Sequence, residues 1–203
     1  TLEYVENFLK GFDAKKLEKL AEVPGFDKVV EDMATYGKKF AGGKFQLKYA
    51  EKLLDQGKVL KFEVSNSSNN LTRIYDIQVE FFEKGQRFIK NLELKNWGKF
   101  YPETIKNQFI KDLQKMDNLG DIQWIFRKTA NIADMTTLKN GVLQALKKAD
   151  GKAIEELGNI SLDQVKKLFK NEAKVINKEN RIEFLLKKLE DDKVFNEIFE
   201  IVE

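Results

Sequence analysis

Apolar residues fall three and four positions apart along the first part of the chain. Leu2, Val5, Leu9 and Phe12 form one stripe, Ala14, Leu17, Leu20 and Ala21 a second after Gly11, and Phe26, Val29, Val30 and Met33 a third after Pro24-Gly25. That spacing keeps apolar side chains on one side of a 3.6-residue period and predicts three short helices. Ala41-Gly42-Gly43 predicts a break, so residues 1–43 read as a helical segment of their own. From Lys44, the stripe of Leu47, Ala50 and Leu54 predicts a further helix that ends at Gly57. Glu51 lies on that stripe, where an acid is costly unless it sits at the edge or has a partner.

The period then shortens to two. Leu60, Phe62 and Val64 alternate with Val59, Lys61 and Glu63, which predicts a strand, and the polar run Ser65 to Asn70 predicts a loop able to reach toward a substrate. Between Arg73 and Trp97 the alternation continues on both sides of Glu83-Lys84-Gly85-Gln86, a turn in which Gly85 can take positive φ. In the first arm Ile74, Asp76, Gln78 and Glu80 share a face, opposite Tyr75, Ile77, Val79 and Phe81. In the second, Ile89, Asn91, Glu93 and Lys95 share one, opposite Phe88, Lys90, Leu92 and Leu94. A hairpin therefore brings Asp76 and Glu93 to adjacent strands. Two carboxylates there repel unless a cation lies between them; Lys95 shares their face, and a divalent metal would complete the set.

Beyond Asn96-Trp97-Gly98-Lys99, Pro102 suits a helix start, and Ile105, Phe109, Leu113 and Met116 form its apolar side, with Gln108 and Lys111 off the stripe. Asn118-Leu119-Gly120 closes it, and Ile122 to Phe126 reads as a strand. The remainder reads as helical: Val142, Ala145 and Leu146, then Leu162, Val165 and Phe169 after the capping pair Ser161 and Gln164, then Ile182, Leu185 and Leu189, and last Val194, Ile198 and Val202. Lysine pairs at 147–148, 166–167 and 187–188 form either a solvated face or a basic flank that grips phosphates.

Composition narrows the chemistry. The 203 residues are 42% hydrophobic, enough for a core, and no stretch approaches a membrane span. The opening residues carry neither an initiator Met nor a signal-peptide pattern, so the chain is expected to be part of a longer protein. Without cysteine there are no disulfides and no thiolate metal sites. Without histidine, Ser-His-Asp and Cys-His catalysis and imidazole-ligated metals are excluded. Acid, lysine and hard-metal chemistry remains. A net charge of +3 permits nucleic-acid binding without requiring it.

Asp76 followed by Glu93-Leu94-Lys95 resembles the signature of the PD-(D/E)xK, or restriction-endonuclease-like, nuclease superfamily. That family's core runs helix, three strands, helix, strand, and Lys44 to Arg127 reads in the same order. The resemblance implies an α/β (α+β) fold with a mixed sheet: a nuclease core over 44–127, the helical segment 1–43 before it and a helical region 128–203 packed on it. It implies that Asp76, Glu93 and the main-chain carbonyl after Glu93, with Glu51 from the first core helix, hold Mg²⁺ or Mn²⁺, and that Lys95 acts on the attacking water or the transition state. Glu51 paired with Lys48 or Lys52 at a helix boundary is the alternative. Gln108 resembles a glutamine that some branches place against the substrate backbone, and Lys99 and Lys111 are the accompanying cations.

The implied activity is metal-dependent hydrolysis of phosphodiester bonds in DNA or in structured RNA such as tRNA. The setting resembles the C-terminal toxin domains of bacterial contact-dependent and polymorphic toxin systems. That implies export within a larger protein, action in the cytoplasm of a target cell, a cognate immunity protein as partner and a monomeric catalytic domain. A housekeeping repair or restriction nuclease is the rival enzyme, and a non-catalytic nucleic-acid or protein binding module with the same fold is the rival of another class.

Overall fold

The computed structural model describes residues 2–68 and 71–203. The class is α+β, with strands paired both antiparallel and parallel. Two compact units divide the chain, one formed by the residues up to Ser67 together with Ile74–Asn96, the other by Ser68–Arg73 and Trp97–Glu203.

The first unit begins with α1 (Leu2–Leu9), α2 (Ala14–Ala21), α3 (Phe26–Thr35) and α4 (Gly37–Leu53). The three predicted helical stripes form α1 to α3, and Val5, Leu20, Val29 and Met33 are buried. Asp13 caps α2, its carboxylate accepting from the Lys16 N–H. The predicted break at Ala41-Gly42-Gly43 does not occur, because α4 runs straight through it. Gly43 serves close packing instead: a Cβ there would lie 2.3 Å from Met33 Cγ on α3. That approach offsets the ordering entropy a helical glycine costs.

Three strands follow, β1 (Lys58–Ser68), β2 (Leu71–Glu83) and β3 (Gln86–Lys95), side by side in chain order. The turn before α3 guards β1. Gly25 has φ +90, a Cβ on it would lie 2.5 Å from the Phe62 carbonyl oxygen, and the Phe62 N–H donates to the Pro24 carbonyl (2.9 Å). Strand β1 departs from the predicted alternation, since Val59, Phe62 and Val64 are buried while Leu60 is half-buried. It also extends through Ser65 to Ser68, where a loop was expected; Asn69 and Asn70 of that polar run lie outside the described residues. Strands β2 and β3 form the predicted hairpin, in register from Ile77↔Leu92 to Glu83↔Gln86. Lys84 (φ +49) and Gly85 (φ +78) both take the left-handed region, which suits the twist of a two-residue hairpin turn. Tyr75, Ile77, Val79 and Leu92 are buried, as the period-two reading requires.

The second unit opens with α5 (Pro102–Thr104), a π turn over Ile105–Phe109 and α6 (Ile110–Lys115). Then come β4 (Ile122–Arg127), α7 (Met135–Ala145), α8 (Leu162–Leu168), α9 (Arg181–Glu190), α10 (Asp192–Ile198) and β5 (Phe199–Val202), with 3₁₀ turns at Glu155–Asn159 and Lys170–Val175. Ser161 caps α8 by accepting from the Gln164 N–H (3.1 Å), but the Gln164 side chain donates to the Leu113 and Met116 carbonyls rather than back to the cap. The chain end was expected to be wholly helical; β5 instead pairs parallel with β4. Phe199 explains the change, stacking on Phe195 (4.4 Å between ring centres) and packing with Trp124, Phe126 and Phe109.

Candidate functional site

At the base of the hairpin the polar face is partly buried, with Asp76 half-buried. Glu93 and Lys95 are 6% and 8% exposed, and α4 packs on β3. Lys95 Nζ donates to Glu93 Oε1 (2.5 Å), and the Leu94 N–H donates to Asp76 Oδ2 (2.6 Å). The structure thus brings Asp76, Glu93 and Lys95 together, and period-two geometry is the reason. Burial, and next the Glu93 carboxylate, push the Asp76 carboxyl up to about 8 against the pull of the Leu94 N–H and the Lys95 ammonium. Glu63 adds to the upward push. One lysine therefore does not balance the negative charge gathered at this end of the hairpin.

Asp76 lines a cavity of about 340 Å³ with Gln46, Glu63, Leu94 and Asn96, against apolar walls that include Val29 and Met33. Gln46, from α4, donates from Nε2 to the Asp76 carbonyl (2.7 Å) and to Glu63 Oε1 (3.1 Å). Glu63 has φ +51, a left-handed conformation unusual for a non-glycine residue inside a strand. Sequence reasoning passed over both residues. Gln46 sits beside the apolar stripe of its helix, and Glu63 falls on the face opposite Phe62 and Val64, so neither departs from pattern in a way that marks it. At the rim, Asp32 accepts from Lys28 and Lys39 (2.6 Å each), and those bonds hold its carboxyl below the usual range.

Glu51 is not part of this cluster. Its carboxylate accepts from the Asp13 N–H (2.9 Å) and from Lys48 (2.8 Å), which ties α4 to the start of α2. Gln108, Lys99 and Lys111 all belong to the second unit. Gln108 lies half-buried in the π turn, Lys99 is exposed with its ammonium 5.5 Å from the Tyr101 ring centre, and Lys111 lines a groove with Lys106, Asn107 and Gln114. The lysine pairs are largely neutralised by surface ion pairs: Lys147 with Glu190, Lys148 with Glu155, Lys167 with Asp117 and Lys188 with Glu172. Such exposed pairs contribute about 0–1 kcal/mol each and leave little of a continuous basic flank.

The second unit holds its own buried carboxylate. Asp112 accepts from Arg73 Nε (2.8 Å) and Nη2 (3.3 Å) and from Trp124 Nε1 (2.8 Å), with no part of it exposed.

The carboxylate oxygens of Asp76 and Glu63 in the cavity, and that of Glu93 beside Asp76, are the ligand type that Mg²⁺ and Mn²⁺ take, while Lys38 and Lys39 line the same cavity. Among the described residues no group of three or more acidic side chains is placed to hold a metal ion. No family model, curated protein or solved structure matches the chain. Among the described residues no helix is long and apolar enough to cross a membrane.

Proposed function

We propose that the chain is a metal-dependent phosphodiesterase of the PD-(D/E)xK type, cleaving DNA or structured RNA such as tRNA. The observation that carries this reading is the closeness of Asp76 and Glu93 beside a buried Lys95, on a hairpin preceded by a helix and a strand and followed by a helix and a strand. Asp76, Glu93 and the Leu94 carbonyl would hold Mg²⁺ or Mn²⁺. When bound, the ion supplies Lewis acidity at the phosphate and a water of lowered pKa.

The protein's own groups do the rest. Asp76 gives up the proton it holds below about pH 8, so ion uptake releases a proton and weakens as pH falls. Lys95 orients Glu93 through its 2.5 Å bond, and its positive charge offsets the charge that builds on the phosphate. The apolar walls of the cavity keep the carboxylates from full hydration, which strengthens both effects.

By the same resemblance, the reading extends to a bacterial toxin domain: exported within a larger protein, acting as a monomer in the target cytoplasm, and neutralised by an immunity protein. The Glu93–Lys95 bond also favours a second reading, a binding module in which this pair is only structural. Incubating the purified chain with plasmid DNA and with total RNA, with and without Mg²⁺ or Mn²⁺, separates the two. The nuclease reading expects cleavage only with metal, and its loss in Asp76→Asn; no cleavage of either substrate favours the binding module.

A further inference from the structure

The cavity beside the hairpin, which Lys38 and Lys39 also line, holds an acceptor that receives no hydrogen bond from the described residues. Gln46 is 6% exposed, and its Nε2 group is committed to two oxygens, the Asp76 carbonyl and Glu63 Oε1. Those two acceptors fix the amide's orientation, because turned over it would set its own oxygen against both of them. Gln46 Oε1 accepts no hydrogen bond among the described residues. No buried side-chain oxygen is left unsatisfied there, so this one opens on solvent in the cavity that Gln46 lines. Among the described residues, Glu63 Oε2 and Asp76 Oδ1 likewise receive no donor. The complement of three such oxygens is a cation or a group rich in donors.

The backbone adds an independent observation. Glu63 keeps φ +51 within a strand, a conformation that persists in a side-chain-bearing residue only where its surroundings impose it. The Gln46 bond is one such constraint, and it directs the Glu63 carboxylate to the cavity that Asp76 lines.

We propose that Glu63, oriented by Gln46, is a further acidic group of the cation site and receives the ion's water shell rather than the ion itself. This rests on the assignment of Asp76 and Glu93 to a divalent cation. Acidic side chains do not converge here to cage a bare ion, whereas Mg²⁺ typically keeps several waters and takes only one or two carboxylates. Ion-bound water donates hydrogen bonds, which Glu63 Oε2 and Gln46 Oε1 are placed to accept. Both are positioning residues, acting on the ion through water.

Calorimetric titration with Mn²⁺ alone tests this without any substrate. Glu63→Gly keeps the backbone free to take positive φ while deleting the carboxylate, and Gln46→Met deletes the amide. Each is expected to raise the Mn²⁺ Kd by on the order of tenfold or more, the scale for lost outer-shell partners, with the metal-free Tm of Glu63→Gly unchanged or higher. If Glu63→Gly does not fold, Glu63→Gln carries the same test, with weaker Mn²⁺ binding expected. Wild-type affinity in a folded Glu63 variant, alongside lost binding in Asp76→Asn, overturns the role of Glu63 and leaves the hairpin site standing. No Mn²⁺ binding by the wild type, or full binding by Asp76→Asn, overturns both.

Discussion

Two aspartates in this protein, Asp112 fully buried and Asp76 half-buried, are treated in opposite ways. Asp112, in the second unit, meets a two-pronged guanidinium and an indole N–H, so its charge is matched and its oxygens are satisfied. Asp76, in the first, has one backbone donor, a second carboxylate as neighbour and a lysine already bonded to that neighbour. A site built only for stability would resemble the first. The second keeps an unbalanced carboxyl in a cavity, an arrangement that is costly for a metal-free fold and suited to a cation.

The comparison breaks most visibly in activity. Asp76→Asn and Glu93→Gln each remove a proposed ligand while preserving shape, and each is expected to lower metal-dependent cleavage by on the order of 10³-fold or more with the folded circular-dichroism spectrum retained. Unchanged cleavage in either removes the assignment. Asp112→Ala is expected to act on stability instead. It leaves Arg73 buried without its partner, at a cost of about 3–5 kcal/mol in denaturant unfolding, the range for breaking a buried ion pair. A loss within about 0.5 kcal/mol, the scale of an ordinary surface substitution, would place Asp112 outside the structural class.

The sequence made Asp76 legible and Asp112 obscure, for a physical reason. Alternation in β2 and β3 fixes faces residue by residue, so Asp76, Glu93 and Lys95 can be placed together from spacing alone. Asp112 pairs with an arginine far away in sequence, and no local period reports such a contact. The same limit hid Gln46 and Glu63, whose bond joins a helix to a strand, and it hid β5, whose Phe199 is drawn into strand pairing by Trp124 and Phe126. Gly42-Gly43 misled in the opposite direction. Glycine usually breaks helices, but at Gly43 Met33 on the facing helix needs the space.

Lys95→Met sharpens the contrast between charge balance and catalysis. If Lys95 stabilises the transition state, cleavage at saturating metal is expected to fall by on the order of 10²-fold while Mn²⁺ binding persists or tightens. Restored cleavage at high metal reduces it to a salt-bridge partner.

A further expected effect is in the pH dependence of stability. Asp76 holds a proton in the folded chain up to about pH 8 that the unfolded chain loses near pH 4, so folding is progressively penalised as pH rises between those values and the penalty is constant above them. Wild type is expected to lose up to about 1.4 kcal/mol per pH unit in that window relative to Asp76→Asn, read from denaturant midpoints at pH 5, 7 and 9. Parallel profiles would show that Asp76 is ionised in the folded protein at neutral pH.

The most direct test of the central claim, that Asp76 and Glu93 form a cation site, is the proton released when Mn²⁺ binds. Titration at pH 7 in two buffers of different ionisation enthalpy gives that number. The account predicts release of about one proton per ion at pH 7, falling toward zero by pH 9 and absent in Asp76→Asn. Binding with no proton release at pH 7, or no binding at all, would contradict it.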